Sequence, residues 1–214
     1  MLYKETVTDA LFETLKSISS LEKLSSFRLV GGTAIALQIG HRRSIDLDLF
    51  SNEKVKKQNI ALDLENKFPG IECFISQDGI TTRINDLKID IFDDWMIPFK
   101  EEPVIVDRIK IASLKDLAAF KLTALTERRE KKDYIDLYFL FQKFGGLTLL
   151  KEYHSYNPLL SAKSLLFALE EVIVAQENSS PMPDMIRPVL WEEIKNDMHQ
   201  AAKEFLFFLN NTKS

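Results

Sequence analysis

Residues 27–50, FRLVGGTAIALQIGHRRSIDLDLF, constrain the fold more than any other stretch of the chain. A short apolar run, Phe27 to Val30, reads as a buried strand. Gly31, Gly32 and Thr33 follow. Ala34, Ile35, Leu37 and Ile39 then recur at helical spacing and stop at Gly40. Beyond His41, Arg42 and Arg43, the run Asp46-Leu47-Asp48-Leu49-Phe50 alternates polar and apolar, as a strand does. Residues i and i+2 of a strand face the same way, so Asp46 and Asp48 share one face while Leu47 and Leu49 enter the core.

Two carboxylates on one strand face repel unless a cation lies between them. Mg²⁺ takes oxygen ligands and is commonly held by one or two carboxylates together with substrate phosphates. The Gly-Gly-Thr turn is the complement. Glycine lets backbone approach a phosphate closely, a helix N-terminus offers free N–H groups and the positive end of its dipole, and the Thr33 hydroxyl adds a donor. Asp46 and Asp48 are therefore expected to hold Mg²⁺ (or Mn²⁺), and Gly31, Gly32 and Thr33 to cradle the phosphates of an NTP. The turn and the acids are expected to meet in one pocket.

The rest of the chain divides by architecture. Helical spacing predicts a helix over about 8–24, with Thr8 as N-cap, and a second over 53–68 burying Ile60, Leu62, Leu64 and Phe68. Strands are expected at 71–75, 81–84 and 87–92, with Gln77-Asp78-Gly79 as a turn. Runs 104–106 and 109–111 read as a hairpin or as two small strands. Past Ala112 every pattern is helical: 113–127 from a Ser113/Asp116 cap, then 132–144, 147–153, 159–175 and 188–209, with 177–184 as the flexible connection. The expected class is α+β, with an α/β unit over 1–112 (a mixed sheet with flanking helices) and an all-helical unit over 113–214.

A phosphoryl-transfer site needs a third acid to bridge the metal or take a proton. Asp90, in the alternating LKIDIF, is the candidate, with a solvent-facing acid as the plain alternative and Asp93 and Asp94 as neighbours. Lys121 interrupts an apolar helical stretch, either snorkelling to the surface or placing a charge on a triphosphate. The basic run around Arg128 and Arg129 is either a solvated helix face or an anion-binding one.

Gly31-Gly32-Thr33 followed by Asp46-x-Asp48 resembles the motif of the polymerase-β-type nucleotidyltransferase superfamily. With Arg43, Ser44 and Phe50 it is similar to the AbiEii/AbiGii toxin branch. The stretch around Lys121 resembles that branch's second motif, and Lys132, Asp133 and Asp136 its third. The resemblance implies a polymerase-β-like nucleotidyltransferase fold whose helical half completes the active site. It implies Lys121 as an active-site residue, Asp133 as an acid or as the partner orienting Lys121, Arg43 and Lys132 as nucleotide-binding residues, and a toxin role beside a cognate antitoxin. An RNA or tRNA 3′ end becomes a plausible acceptor.

Other chemistries find no support. His154 and His199 have no companion at metal-ligand spacing, His41 reads as a loop histidine, and no Walker lysine or Gly-x-Ser-x-Gly turn occurs. The formal net charge of −4 argues against a surface coated with nucleic acid. One cysteine, Cys73, excludes an intramolecular disulfide framework and is expected to be a core thiol. Without a membrane-length apolar run or a signal-peptide pattern, the cytoplasm is the expected compartment. A small-molecule nucleotidyltransferase of the antibiotic-modifying kind and a non-catalytic nucleotide-binding interaction protein are the alternatives.

Overall fold

The computed structural model describes residues 2–94, 97–156 and 162–212. The chain forms two compact units, Met1–Leu117 and Ala118–Ser214.

The first unit is built on a seven-stranded mixed sheet: β1 (Arg28–Val30), β2 (Leu47–Phe50), β3 (Cys73–Ile75), β4 (Gly79–Ile84), β5 (Leu87–Phe92), β6 (Val104–Val106) and β7 (Ile109–Ile111). Their order is β3-β4-β5-β2-β1-β7-β6. β2 lies near the centre, antiparallel to β1 and parallel to β5. Its Leu47 and Leu49 are buried, as are Leu29, Val30, Ile89, Ile91, Ile109 and Ile111 on the neighbouring strands. The β4–β5 and β6–β7 pairs are two-residue hairpins. Asn85 and Asp86, and Asp107 and Arg108, have positive φ, as the mirror-image hairpin turns require.

Three helices pack on this sheet: α1 (Asp9–Ser19) on β7, α2 (Gly31–Ile39) on β1 and β2, and α3 (Lys57–Lys67) on β3 and β4. Thr8 caps α1 by accepting from the Leu11 N–H at 3.1 Å. The helix is shorter than its apolar spacing predicts. Ser20 turns its hydroxyl onto the Ser17 carbonyl, Leu21 is extended, and a separate 3-10 turn, Glu22–Leu24, follows. In α3, Ile60, Ala61 and Leu64 are buried, but Leu62 is exposed, contrary to expectation. Two residues on from Ile60, it points to the opposite side of the helix. Cys73 is half-buried on the edge strand β3 and not a core thiol; its burial still pushes the thiol pKa up.

The second unit contains most of α4 (Leu114–Glu127), followed by α5 (Lys131–Phe144), α6 (Gly146–Tyr156), α7 (Ala162–Glu170), α8 (Val172–Glu177) and α9 (Trp191–Asn211). The start expected for a helix at Leu159 lies outside the described residues. Downstream, that helix is two, α7 and α8, broken at Glu171, whose ψ of 3° leaves the helical range. At the head of α4, Ser113 Oγ accepts from the Asp116 N–H at 3.0 Å, the expected cap. α9 packs against α5, α6, α7 and α8, burying Ile194, Met198 and Phe205. The connection expected over 177–184 starts after α8 and is hydrogen-bonded at its beginning: Lys131 Nζ donates to the carbonyls of Asn178 and Ser180 at 2.9 and 2.8 Å.

Candidate active site

α2 begins at Gly31, the residue after β1, with no spacer and no side-chain cap at Val30. As at any helix start, its first N–H groups have no partner within the helix and point toward where an anion could sit. Antiparallel pairing sets Val30 level with Asp48. The next residue, Gly31, therefore comes up against the Asp48 side chain. A Cβ built on Gly31 would overlap the Asp48 carboxylate, and its φ of 69° is one an L side chain rarely adopts. Gly31 is required twice, for its backbone conformation and for the room it leaves.

Gly32 leaves room for another group. A Cβ there would strike the Arg42 guanidinium and approach Ser44 Oγ at 3.5 Å. Arg42 is buried and donates to the Arg43 carbonyl at 2.9 Å, whereas Arg43 is exposed. The arginine at the turn is thus Arg42, whereas the family resemblance points to its neighbour Arg43. Thr33 is buried, with its hydroxyl 2.5 Å from the Asp46 carbonyl and 2.8 Å from Ser44 Oγ. A carbonyl only accepts, so the single Thr33 proton goes to Asp46 and Thr33 accepts from Ser44. The threonine thereby ties the turn to the backbone of the first acid. The loop is held from behind as well: Ser44 N–H donates to the Thr6 carbonyl at 2.9 Å, and the Tyr3 ring packs on Gly40.

Asp46 lies one residue before β2 and Asp48 within it, both half-buried. Parallel pairing sets Asp48 level with Asp90 on β5. Both Asp90 oxygens are engaged: Oδ1 accepts from the Thr81 hydroxyl at 2.7 Å and Oδ2 from Lys88 Nζ at 2.5 Å. That hydrogen bond, and the negative charges of Asp90, Asp48 and Asp46, push the Lys88 pKa up. Three carboxylates thus act on one ammonium. Lys88 was missed in the sequence, although its i, i+2 spacing from Asp90 puts both on one strand face.

Among the described residues no three His, Cys, Asp or Glu side chains form a ready metal-binding group. The Asp46/Asp48 pair is nonetheless the donor type that a hard divalent ion shares with substrate phosphates, and its negative charge reaches the Lys88 ammonium. The pair fits such an ion.

The helical unit has its own charged cluster. Lys121 is 5% exposed, with Nζ 2.6 Å from Asp133 Oδ1 and 2.8 Å from Asp136 Oδ2. Both acids are fully buried on α5, three residues apart and so on one face. Arg128 Nε donates to Asp133 Oδ2 at 2.9 Å. Burial alone would raise the Asp133 pKa; the Lys121 charge and the Arg128 hydrogen bonds outweigh it and hold the carboxyl below its ordinary range. Lys121 is therefore not a snorkelling lysine. Asp133 is inside the helix, since Glu130 occupies the N-cap position. Lys132 pairs with Glu130 at 3.0 Å.

The family model for the nucleotidyl transferase AbiEii toxin of type IV toxin–antitoxin systems matches residues 13–211. The chain belongs to the AbiEii family. The uncharacterized protein aq_aa25 of Aquifex aeolicus (strain VF5) is 29% identical over 207 residues, which cover 91% of this AbiEii chain and 95% of the relative. A putative nucleotidyltransferase from H. pylori superposes with a TM-score of 0.57 at 18% identity over 95% of both chains. ANT(2")-Ia, solved in complex with adenylyl-2"-tobramycin, superposes with a TM-score of 0.55 at 15% identity, over 72% of this chain and 100% of its own. At such identities the two structures establish a common fold, that of polymerase-β-like nucleotidyltransferases. Family membership makes the AbiEii chain a nucleotidyltransferase enzyme. Among its described residues no helix is long and apolar enough to cross a membrane.

Proposed function

We propose that this AbiEii protein transfers a nucleoside monophosphate from an NTP to a hydroxyl of an acceptor, in a reaction dependent on Mg²⁺ or Mn²⁺. The acceptor oxygen bonds to the α-phosphorus, the α–β phosphoanhydride bond breaks, and pyrophosphate leaves with that electron pair. Asp46 and Asp48 would hold the divalent ion, which supplies charge neutralisation on the phosphates. Gly31 and Gly32 admit the phosphates to the α2 N-terminus, while Thr33 and Arg42 fix the turn. Asp90 is the third acid: it would join the divalent ion beside Asp46 and Asp48 or accept the proton of the attacking hydroxyl. The family resemblance gives Lys121 and its partner Asp133 a part in the same reaction. Arg43 and Lys132 are weaker candidates for nucleotide contact, the first exposed and the second paired with Glu130.

One observation carries this reading: the Asp48 carboxylate packs on Gly31, so metal-type ligands and anion cradle adjoin. The type IV toxin–antitoxin family supports a cognate antitoxin as partner, and we place its action in the cytoplasm. An RNA 3′ end is the acceptor we favour. The test is incubation with each labelled NTP, Mg²⁺ and total cellular RNA or protein, beside Asp48→Ala. Label entering RNA with the wild type and not with the variant supports the proposal. Label only in a small-molecule fraction moves the acceptor to that class, and equal labelling by the variant removes Asp48 from the mechanism.

A further inference from the structure

Lys88 has no place in that reaction, yet it is bonded to one of the acids and lies within the charge of the other two. It stands two residues before Asp90 on β5, on the same face of the strand. Its Nζ is 2.5 Å from Asp90 Oδ2, and the charges of Asp48 and Asp46 pull on it as well. The other Asp90 oxygen, Oδ1, accepts from Thr81. The Lys88 side chain is 46% exposed, whereas that of Asp90 is 12% exposed. A long, flexible lysine with its charged end in reach of water can leave by rotating its stem.

We propose that Lys88 is a built-in counter-ion of the Asp46, Asp48 and Asp90 cluster, which a divalent cation must displace from Asp90. The inference rests on the metal-dependent reading given above. A displaced ammonium needs another anion, and the phosphates of an incoming NTP are the anions that arrive with the metal. Lys88 thereby couples the two ligands: the metal alone is resisted, whereas metal and nucleotide together exchange the Lys88–Asp90 pair for a Lys88–phosphate pair. Linkage then requires each ligand to strengthen the other's binding. The device would keep the acids paired in the absence of substrate and favour metal–nucleotide over free metal.

Mn²⁺ binding, followed by the electron paramagnetic resonance of the free ion, tests this without any turnover. It is measured with and without a non-hydrolysable NTP analogue on wild type, Lys88→Met, Lys88→Arg and Asp48→Asn. Lys88→Met should bind Mn²⁺ alone roughly tenfold more tightly, the loss of a competing charge-assisted hydrogen bond on a half-exposed side chain. The analogue should enhance its Mn²⁺ affinity less than it does for wild type, and Lys88→Arg should stay close to wild type. Unchanged or weaker Mn²⁺ binding by Lys88→Met overturns the counter-ion role while leaving Asp48 as a ligand. Mn²⁺ binding by Asp48→Asn equal to wild type overturns the metal reading itself, whatever Lys88 does.

Discussion

The Asp48 carboxylate rests on the bare Cα of Gly31, at the point where β1 turns into α2. A side chain at position 31 would therefore push on the acid directly. Gly31→Ala adds the cost of a left-handed backbone to that of an overlap, together about 2 kcal/mol. Gly70 is an internal control, with a φ of 90° and nothing within 4 Å of an added Cβ. Urea unfolding should show a larger loss for Gly31→Ala than for Gly70→Ala, and nucleotide binding should fall only in the former.

Gly32 and Arg42 should behave as a coupled pair. Gly32→Ala sets a methyl group into the guanidinium, and Arg42→Ala clears the space it needs. The double variant should be less destabilised than the sum of the single ones, with a coupling of about 1 kcal/mol in unfolding free energy.

Lys121 is held by two buried carboxylates, and its removal leaves them side by side. Lys121→Met should cost about 3–5 kcal/mol of stability, the range for breaking a buried ion pair from one side. Lys132→Met, at a pair with Glu130 on the surface, should stay within about 0.5 kcal/mol of wild type. Denaturant midpoints of the two variants check the contrast.

Acid should weaken the fold through Asp133. Its folded pKa is depressed below the unfolded value of about 3.9, so its contribution is present above that pH and lost as pH falls through the lower folded value. Asp93 acts in the same sense. Burial opposes its ionisation, but the hydrogen bond and charge of Lys57 and the bond from the Val55 N–H outweigh it. The urea midpoint should drop between pH 5 and pH 3, and by less in Asp133→Asn.

The sequence showed what local pattern encodes. Alternation in 46–50 and 87–92 marked β2 and β5, and the Ser113 and Thr8 caps were visible as residue types in the right place. Leu62 was misjudged because apolar character was counted without its helical angle, and Cys73 because edge position depends on the order of strands. The site divides likewise. Asp46, Asp48 and the glycines stand in one segment, so their adjacency follows from a single strand–helix–strand turn. Lys88 and Arg42 became visible only through contacts across the turn and within a strand face, and a run of basic residues does not say which of them is buried. The Thr33 proton was expected at a phosphate, and nothing in the residue type shows that a backbone carbonyl takes it.

Calorimetric binding of a non-hydrolysable NTP analogue, with and without Mg²⁺, tests most directly whether acids and turn grip one metal-bound triphosphate. Wild type should bind the analogue strongly only when Mg²⁺ is present. Asp48→Asn should lose the Mg²⁺-dependent part, and Gly31→Ala should weaken binding under both conditions. Wild-type affinity that ignores Mg²⁺, or an Asp48→Asn variant that responds to Mg²⁺ as fully as wild type, would contradict a shared site.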